Sequence, residues 1–142
     1  MLFRSATRLN ILGAALIGAG VAATSVQPPI THGVTAPAEG TSAEYGKYLV
    51  SVLACQVCHG ENLAGRIVRG PGPPGGPNLT VIVPTWSAEG FIRTFRTGVD
   101  PANHTLAQAM PREQISAFAT DEDLTAIYTY LHGLKPIDRP PE

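Results

Sequence analysis

The stretch LACQVCHG, residues 53–60, holds both cysteines of the chain, three positions apart, with a histidine directly after the second. Three chemistries use cysteines at this spacing: a dithiol redox switch, half of a zinc site, and thioether attachment of a haem. The surrounding sequence decides among them.

The totals set the frame. At 142 residues the chain suits one domain of ordinary size. Ten Lys+Arg stand against 11 Asp+Glu, so no basic excess exists to neutralise phosphates, which argues against nucleic acid as a partner. The prolines and glycines cluster outside the segments that read as helical, so the structured core is smaller than the chain. Residues 1–26 resemble a targeting segment: Arg4 and Arg8 lead into ILGAALIGAGVAA (11–23), and Val21 and Ala23 are small residues where a signal peptidase accepts them. The alternative is a retained N-terminal membrane anchor, although the run falls short of the about 20 apolar residues that cross a bilayer core. Either reading exports the remainder to the periplasm, soluble or tethered to the inner membrane. Without Arg4 and Arg8 that remainder is more acidic than the formal charge of −1 for the whole chain. Residues 27–42 read as a Pro/Gly/Ala/Thr-rich linker, 43–137 as the folded domain and 138–142 as a tail.

Within 43–137 three helices are predicted. Over 43–54, Tyr45, Leu49, Val52 and Leu53 share one face behind a Ser42 cap, with Gly46 an unexpected interior glycine. Over 87–97, Ser87 caps, Phe91 and Phe95 share a face, and Gly98 stops the helix. Over 120–132, Thr120 and three acids open a helix whose apolar stripe is Leu124, Ile127, Tyr128 and Leu131, and Gly133 closes it. Residues 61–84, containing RGPGPPGGPNLT, read as one long loop. No alternating strand pattern occurs. The expected class is therefore all-α, about three core helices and long loops, too little to enclose a core unless something apolar sits in the middle.

That context separates the three chemistries. A redox dithiol needs its cysteines at a helix N-terminus in a strand–helix setting, where the dipole lowers the thiol pKa. Here they follow a helix in a chain without strands. A structural zinc site needs four ligands, and there is no third cysteine, while His32, His104 and His132 are scattered. C-x-x-C-H is the attachment motif of haem c, with His59 after Cys55 and Cys58 as the specific element. A second axial ligand is then required. Apart from Met1 the only methionine is Met110, in TLAQAMPREQ, before Pro111 and between two capped helices, a setting that core packing explains poorly.

At this point the chain resembles a class I monohaem cytochrome c. It is most similar to the cytochrome domains that accompany membrane-bound alcohol and sugar dehydrogenases, through EYGKYLVSVLACQVCHGENLAG, GGPNLT, WSAEGFIRTFRTGVDP, AMP and FATDEDLTAIYTYLHGLKPI in that order. The resemblance implies the cytochrome c fold around one covalently attached haem c. It implies that Pro77 offers its carbonyl to the far ring nitrogen of His59, and that Gly46 and Tyr130 mark a close crossing of the first and last helices. Trp86 resembles a residue near a haem propionate, or is a half-buried core aromatic. Arg112 departs from relatives that often carry an aromatic after the Met-Pro pair.

The implied function is a single-electron carrier, not an enzyme, working between redox partner proteins such as a membrane-bound dehydrogenase, an oxidase or another electron-transfer complex. With His59 and Met110 as metal ligands the iron keeps no vacant position. The rival class is a five-coordinate haem enzyme or gas sensor in which Met110 is displaceable. Arg66, Arg69, Arg93, Arg96 and Arg112 are expected either to form a basic docking rim or to bind propionates and face solvent, with Asp121, Glu122 and Asp123 as the nearby acids.

Overall fold

The structure is a computed structural model and describes residues 35–68, 72 and 74–138. The proposed signal or anchor and the start of the linker lie outside these residues, as do Arg69 and nearly all of the tail. Every regular element among the described residues is helical, and an isolated antiparallel bridge between Val99 and Thr105 is the β-type pairing present. No described helix is long and apolar enough to cross a membrane.

The three predicted helices are present. The first, α1 (Ala43–Val52), opens with the Ser42 side chain accepting from the Tyr45 backbone N–H at 3.2 Å. It buries Tyr45, Gly46 and Val50. The last, α6 (Asp121–His132), starts in a reciprocal capping box between Thr120 and Asp123, and its three first-turn acids complement the helix dipole. Its Leu124, Ala126, Ile127 and Leu131 are buried, and Gly133 ends it in a right-handed conformation. The two helices cross in contact. A Cβ on Gly46 would collide with the Ala126 carbonyl and lie 3.0 Å from the Tyr130 Cβ, which accounts for the interior glycine. The Tyr45 hydroxyl donates to Asp123 Oδ1 at 3.1 Å and ties α1 to the start of α6. Between them in sequence comes α4 (Ala88–Thr97), which packs on α6, capped by Ser87 and closed by Gly98 in the left-handed region. Its Phe91 and Phe95 rings meet at a tilt with centroids 5.1 Å apart, and Phe91 meets Tyr128 of α6 at 5.8 Å.

Three short helices correct the expected loops. One turn, α2 (Gln56–His59), carries the cysteine motif. Residues 61–84 are not loop throughout: α3 (Leu79–Ile82) begins where Asn78 accepts from Thr80 N–H, and a 3-10 turn (Val83–Thr85) follows. Pro84 sits at the start of that turn, where a missing N–H costs nothing. The segment after Met110 is α5 (Arg112–Phe118), whose single buried residue, Ile115, gives no apolar stripe to read. Val50, Leu63, Val83, Phe91, Phe95, Ile115, Leu124 and Leu131 join these elements into one core. The chain end is drawn back onto α3, where Asn78 Nδ2 donates to the Ile137 carbonyl and the Ile137 N–H donates to Thr80 Oγ1.

Replacing Gly46 by alanine forces α1 and α6 apart. Gly46→Ala should destabilise the protein by more than about 2 kcal/mol in denaturant unfolding. A loss below about 0.5 kcal/mol, the size of a surface substitution, would show that the crossing yields easily.

Candidate functional site

The cysteine motif is set by a sharp exit from α1. Leu53 continues the helical geometry, then Ala54 takes a left-handed φ of 53°, and the Cys55 N–H bonds back to the Val50 carbonyl at 3.1 Å. The single turn of α2 follows. Cys55 and Cys58, three apart on a helical turn, fall on one side of it, and His59 comes next. Gly60, at φ 81°, ends the turn and sends the chain into a loop that wraps back over His59. Backbone bonds fasten this wrap: Gly65 N–H to the His59 carbonyl, Gly76 N–H to the Cys58 carbonyl, and Arg66 N–H to the Gly76 carbonyl. Arg66 also sends Nη1 to the Val57 carbonyl at 2.6 Å.

His59 is 7% exposed and its Nδ1 lies 2.9 Å from the Pro77 carbonyl oxygen. A carbonyl only accepts, so this bond places the proton on Nδ1 and leaves the Nε2 lone pair unprotonated. Burial pushes the imidazole pKa down, against a smaller upward pull from the Pro77 carbonyl, and so favours the neutral ring. Gly76 lies flat against that ring: a Cβ there would stand 2.8 Å from Nδ1 and 2.9 Å from Cε1. The glycine pair before Pro77 could have signalled this close approach, but sequence reasoning drew only the proline from it.

The two cysteines are free and half-buried. Burial, with a small contribution from neighbouring Cys58, pushes the Cys55 thiol up to about 11, the opposite of what a redox dithiol requires. No group of three His, Cys, Asp or Glu side chains that could hold a metal ion occurs among the described residues.

Met110 is on another part of the chain, half-buried against the core. Its N–H bonds to the Ala107 carbonyl at 2.9 Å and its own carbonyl accepts from Arg112 N–H at 2.7 Å, so it sits in a tight turn leading into α5. With Gly98, Leu106 and Arg112 it lines a cleft of about 450 Å³. Trp86 is half-buried against the core, its ring 6.4 Å from that of Phe91, and its carbonyl accepts from the Tyr128 hydroxyl at 2.9 Å. His104 is 78% exposed at its side chain and its Nδ1 meets Asp100 Oδ2 at 3.2 Å.

The arginines divide. Arg93 is exposed, whereas Arg112 packs across Gly98 and pairs with Glu113 at 3.1 Å. Arg96 is bonded within the chain, to Asp121 and to the carbonyls of Ser116 and Ala119.

These residues fit a haem. Two free thiols flank one helical turn, the adjacent imidazole is buried with its Nδ1 fixed, a glycine clears space at the ring, and a thioether lies on the same apolar core. A search of curated proteins and another of solved structures returned no match. Residues 41–131 match the family model described as cytochrome C oxidase, cbb3-type, subunit III. That span is well over half of the chain, and the chain therefore belongs to this family: it is a class I-like c-type cytochrome domain, of the kind that binds haem c and carries electrons.

Proposed function

We propose that the protein is a single-electron carrier holding one haem c through thioethers from Cys55 and Cys58, with His59 and Met110 as the axial ligands. The observation that carries this reading is the buried His59, whose Nδ1–H is engaged by the Pro77 carbonyl and whose Nε2 lone pair is left to bind a metal. Met110 is supported as the opposite ligand because Met1 is the sole other methionine and because it is held in a turn before Pro111. The haem supplies one-electron cycling of its iron. The chain's part is to orient the imidazole, close the other face with a thioether and surround the site with apolar side chains that keep water out. A ligand set of this kind raises the reduction potential and leaves no position for substrate or oxygen.

The site of action we propose is the periplasm, reached through residues 1–26 and either soluble or tethered to the inner membrane. The partners are redox proteins. A membrane-bound dehydrogenase as electron donor is suggested by the sequence resemblance, and an oxidase as acceptor by the description of the matched family.

Two experiments test the ligand set. Met110→Ala should lower the midpoint potential by on the order of 0.1 V and open the reduced protein to carbon monoxide. An unchanged potential and absorption spectrum would exclude Met110 as a ligand. Ready carbon monoxide uptake by the unmodified protein would favour a haem enzyme or gas sensor instead. On the opposite face, Gly76→Ala should push the His59 ring from its Pro77 contact, lowering the fraction of protein that retains haem and shifting its potential. Wild-type haem content and potential would show that the ring needs no such clearance.

A further inference from the structure

The residue whose role the electron-carrier reading leaves unexplained is Arg96. The guanidinium makes four hydrogen bonds inside the chain: Nη1 to the Ser116 carbonyl at 2.8 Å, Nη2 to the Ala119 carbonyl at 2.8 Å, and Nε and Nη2 to Asp121 Oδ1 at 3.1 and 2.6 Å. Ser116 and Ala119 stand at the C-terminal end of α5, where helix carbonyls have no helical partner and carry the negative end of the dipole. A planar fork with five directed donors on three nitrogens spans two carbonyls and a carboxylate that stand apart, whereas the three donors of an ammonium radiate from one atom.

The other end of α5 leads directly to Met110, through Pro111. The loop that brings the chain to Met110 is held by the same last turn of α4: Leu106 N–H donates to the Gly98 carbonyl at 2.8 Å, and Val99 pairs with Thr105. Ser116 Oγ adds a bond to the Phe95 carbonyl at 2.9 Å. The segment from Gly98 to Ala119 is thus fastened at its start by backbone bonds and at its end by the Arg96 guanidinium and the Ser116 hydroxyl, beside the buried Ile115 and Ala119. A helix of seven residues is a short rigid rod of about 10 Å, so freeing one end lets the other swing.

We infer that Arg96 is a positioning residue for Met110: its guanidinium clasps the far end of α5 and thereby holds the thioether in place for the iron. This rests on the reading of Met110 as a ligand. It also removes Arg96 from the set of arginines free to greet a redox partner.

The test uses the haem-loaded protein with Arg96→Gln and Arg96→Lys, beside Met110→Ala and Ser42→Ala, the last being a cap deletion in α1 that lowers stability away from Met110. The readouts are the rate of carbon monoxide uptake by the reduced protein, the midpoint potential and the thermal midpoint. Arg96→Gln is expected to speed uptake by about tenfold or more, by raising the population with Met110 displaced, and to lower the potential. Arg96→Lys should fail to restore either. Ser42→Ala should lower the thermal midpoint with uptake unchanged. If Arg96→Lys matches the wild type in uptake and potential, or if the Arg96 variants change uptake no more than Ser42→Ala does, the inference is overturned. Should Arg96→Gln not fold, the lysine variant decides alone. Unchanged uptake in Met110→Ala would overturn the ligand reading, and this inference with it. Raised uptake in Met110→Ala but not in the Arg96 variants would remove only the clasp.

Discussion

The hydrogen bond between His59 Nδ1 and the Pro77 carbonyl ties together the two segments of the site that sequence places far apart. It requires the long loop to return across the cysteine turn, and the loop's other bonds follow from that return. Gly76 must lack a side chain because it lies on the ring, and its N–H takes up the Cys58 carbonyl. Leu63 is buried and its carbonyl accepts from Leu79 N–H, so the same loop delivers the start of α3 to the core. The imidazole is therefore oriented by backbone atoms, which have little freedom to relax, rather than by a side chain that could choose another rotamer.

Polar groups are handled with the same economy in a protein of few helices. No buried side-chain nitrogen or oxygen among the described residues lacks a partner. The buried Thr80 hydroxyl donates to Asn78 Oδ1 and accepts from Ile137 N–H, which pins the chain end while satisfying the group. Tyr128 sends its hydroxyl to the Trp86 carbonyl and keeps its ring against Phe91. The Thr80–Ile137 and Tyr128–Trp86 contacts join segments distant in sequence, as a fold with long loops and a small apolar core needs.

What could be read from the sequence follows from where the information resides. The helices α1, α4 and α6 were legible because each has a Ser or Thr cap and an apolar face spaced for a helix. The helix α5 was not, since REQISAF buries only Ile115 and its cap position is Pro111 with no side-chain bond. Prolines around 71–84 concealed α3, although Asn78 was a usable cap signal. The cysteine motif announced its own chemistry, while the partner of His59 came from family resemblance rather than from residue type. Arg96 looked like a surface charge because two of its acceptors are backbone carbonyls, which leave no mark in a sequence.

The two faces of the site are held by unlike means, and this bears on which of them yields first. On the His59 side the restraints are backbone bonds and a glycine contact around a buried ring. On the Met110 side the restraints at the far end of α5 include a side-chain fork that is one-third exposed, facing an Asp121 side chain that is 70% exposed. Ion pairs open to solvent are weakened by salt and contribute little by themselves. The two carbonyl contacts of Arg96 persist when that charge pair is screened, so the clasp loosens with ionic strength without being abolished. On the ligand set we propose, an opening of the site thus proceeds from Met110, with the imidazole staying on its loop.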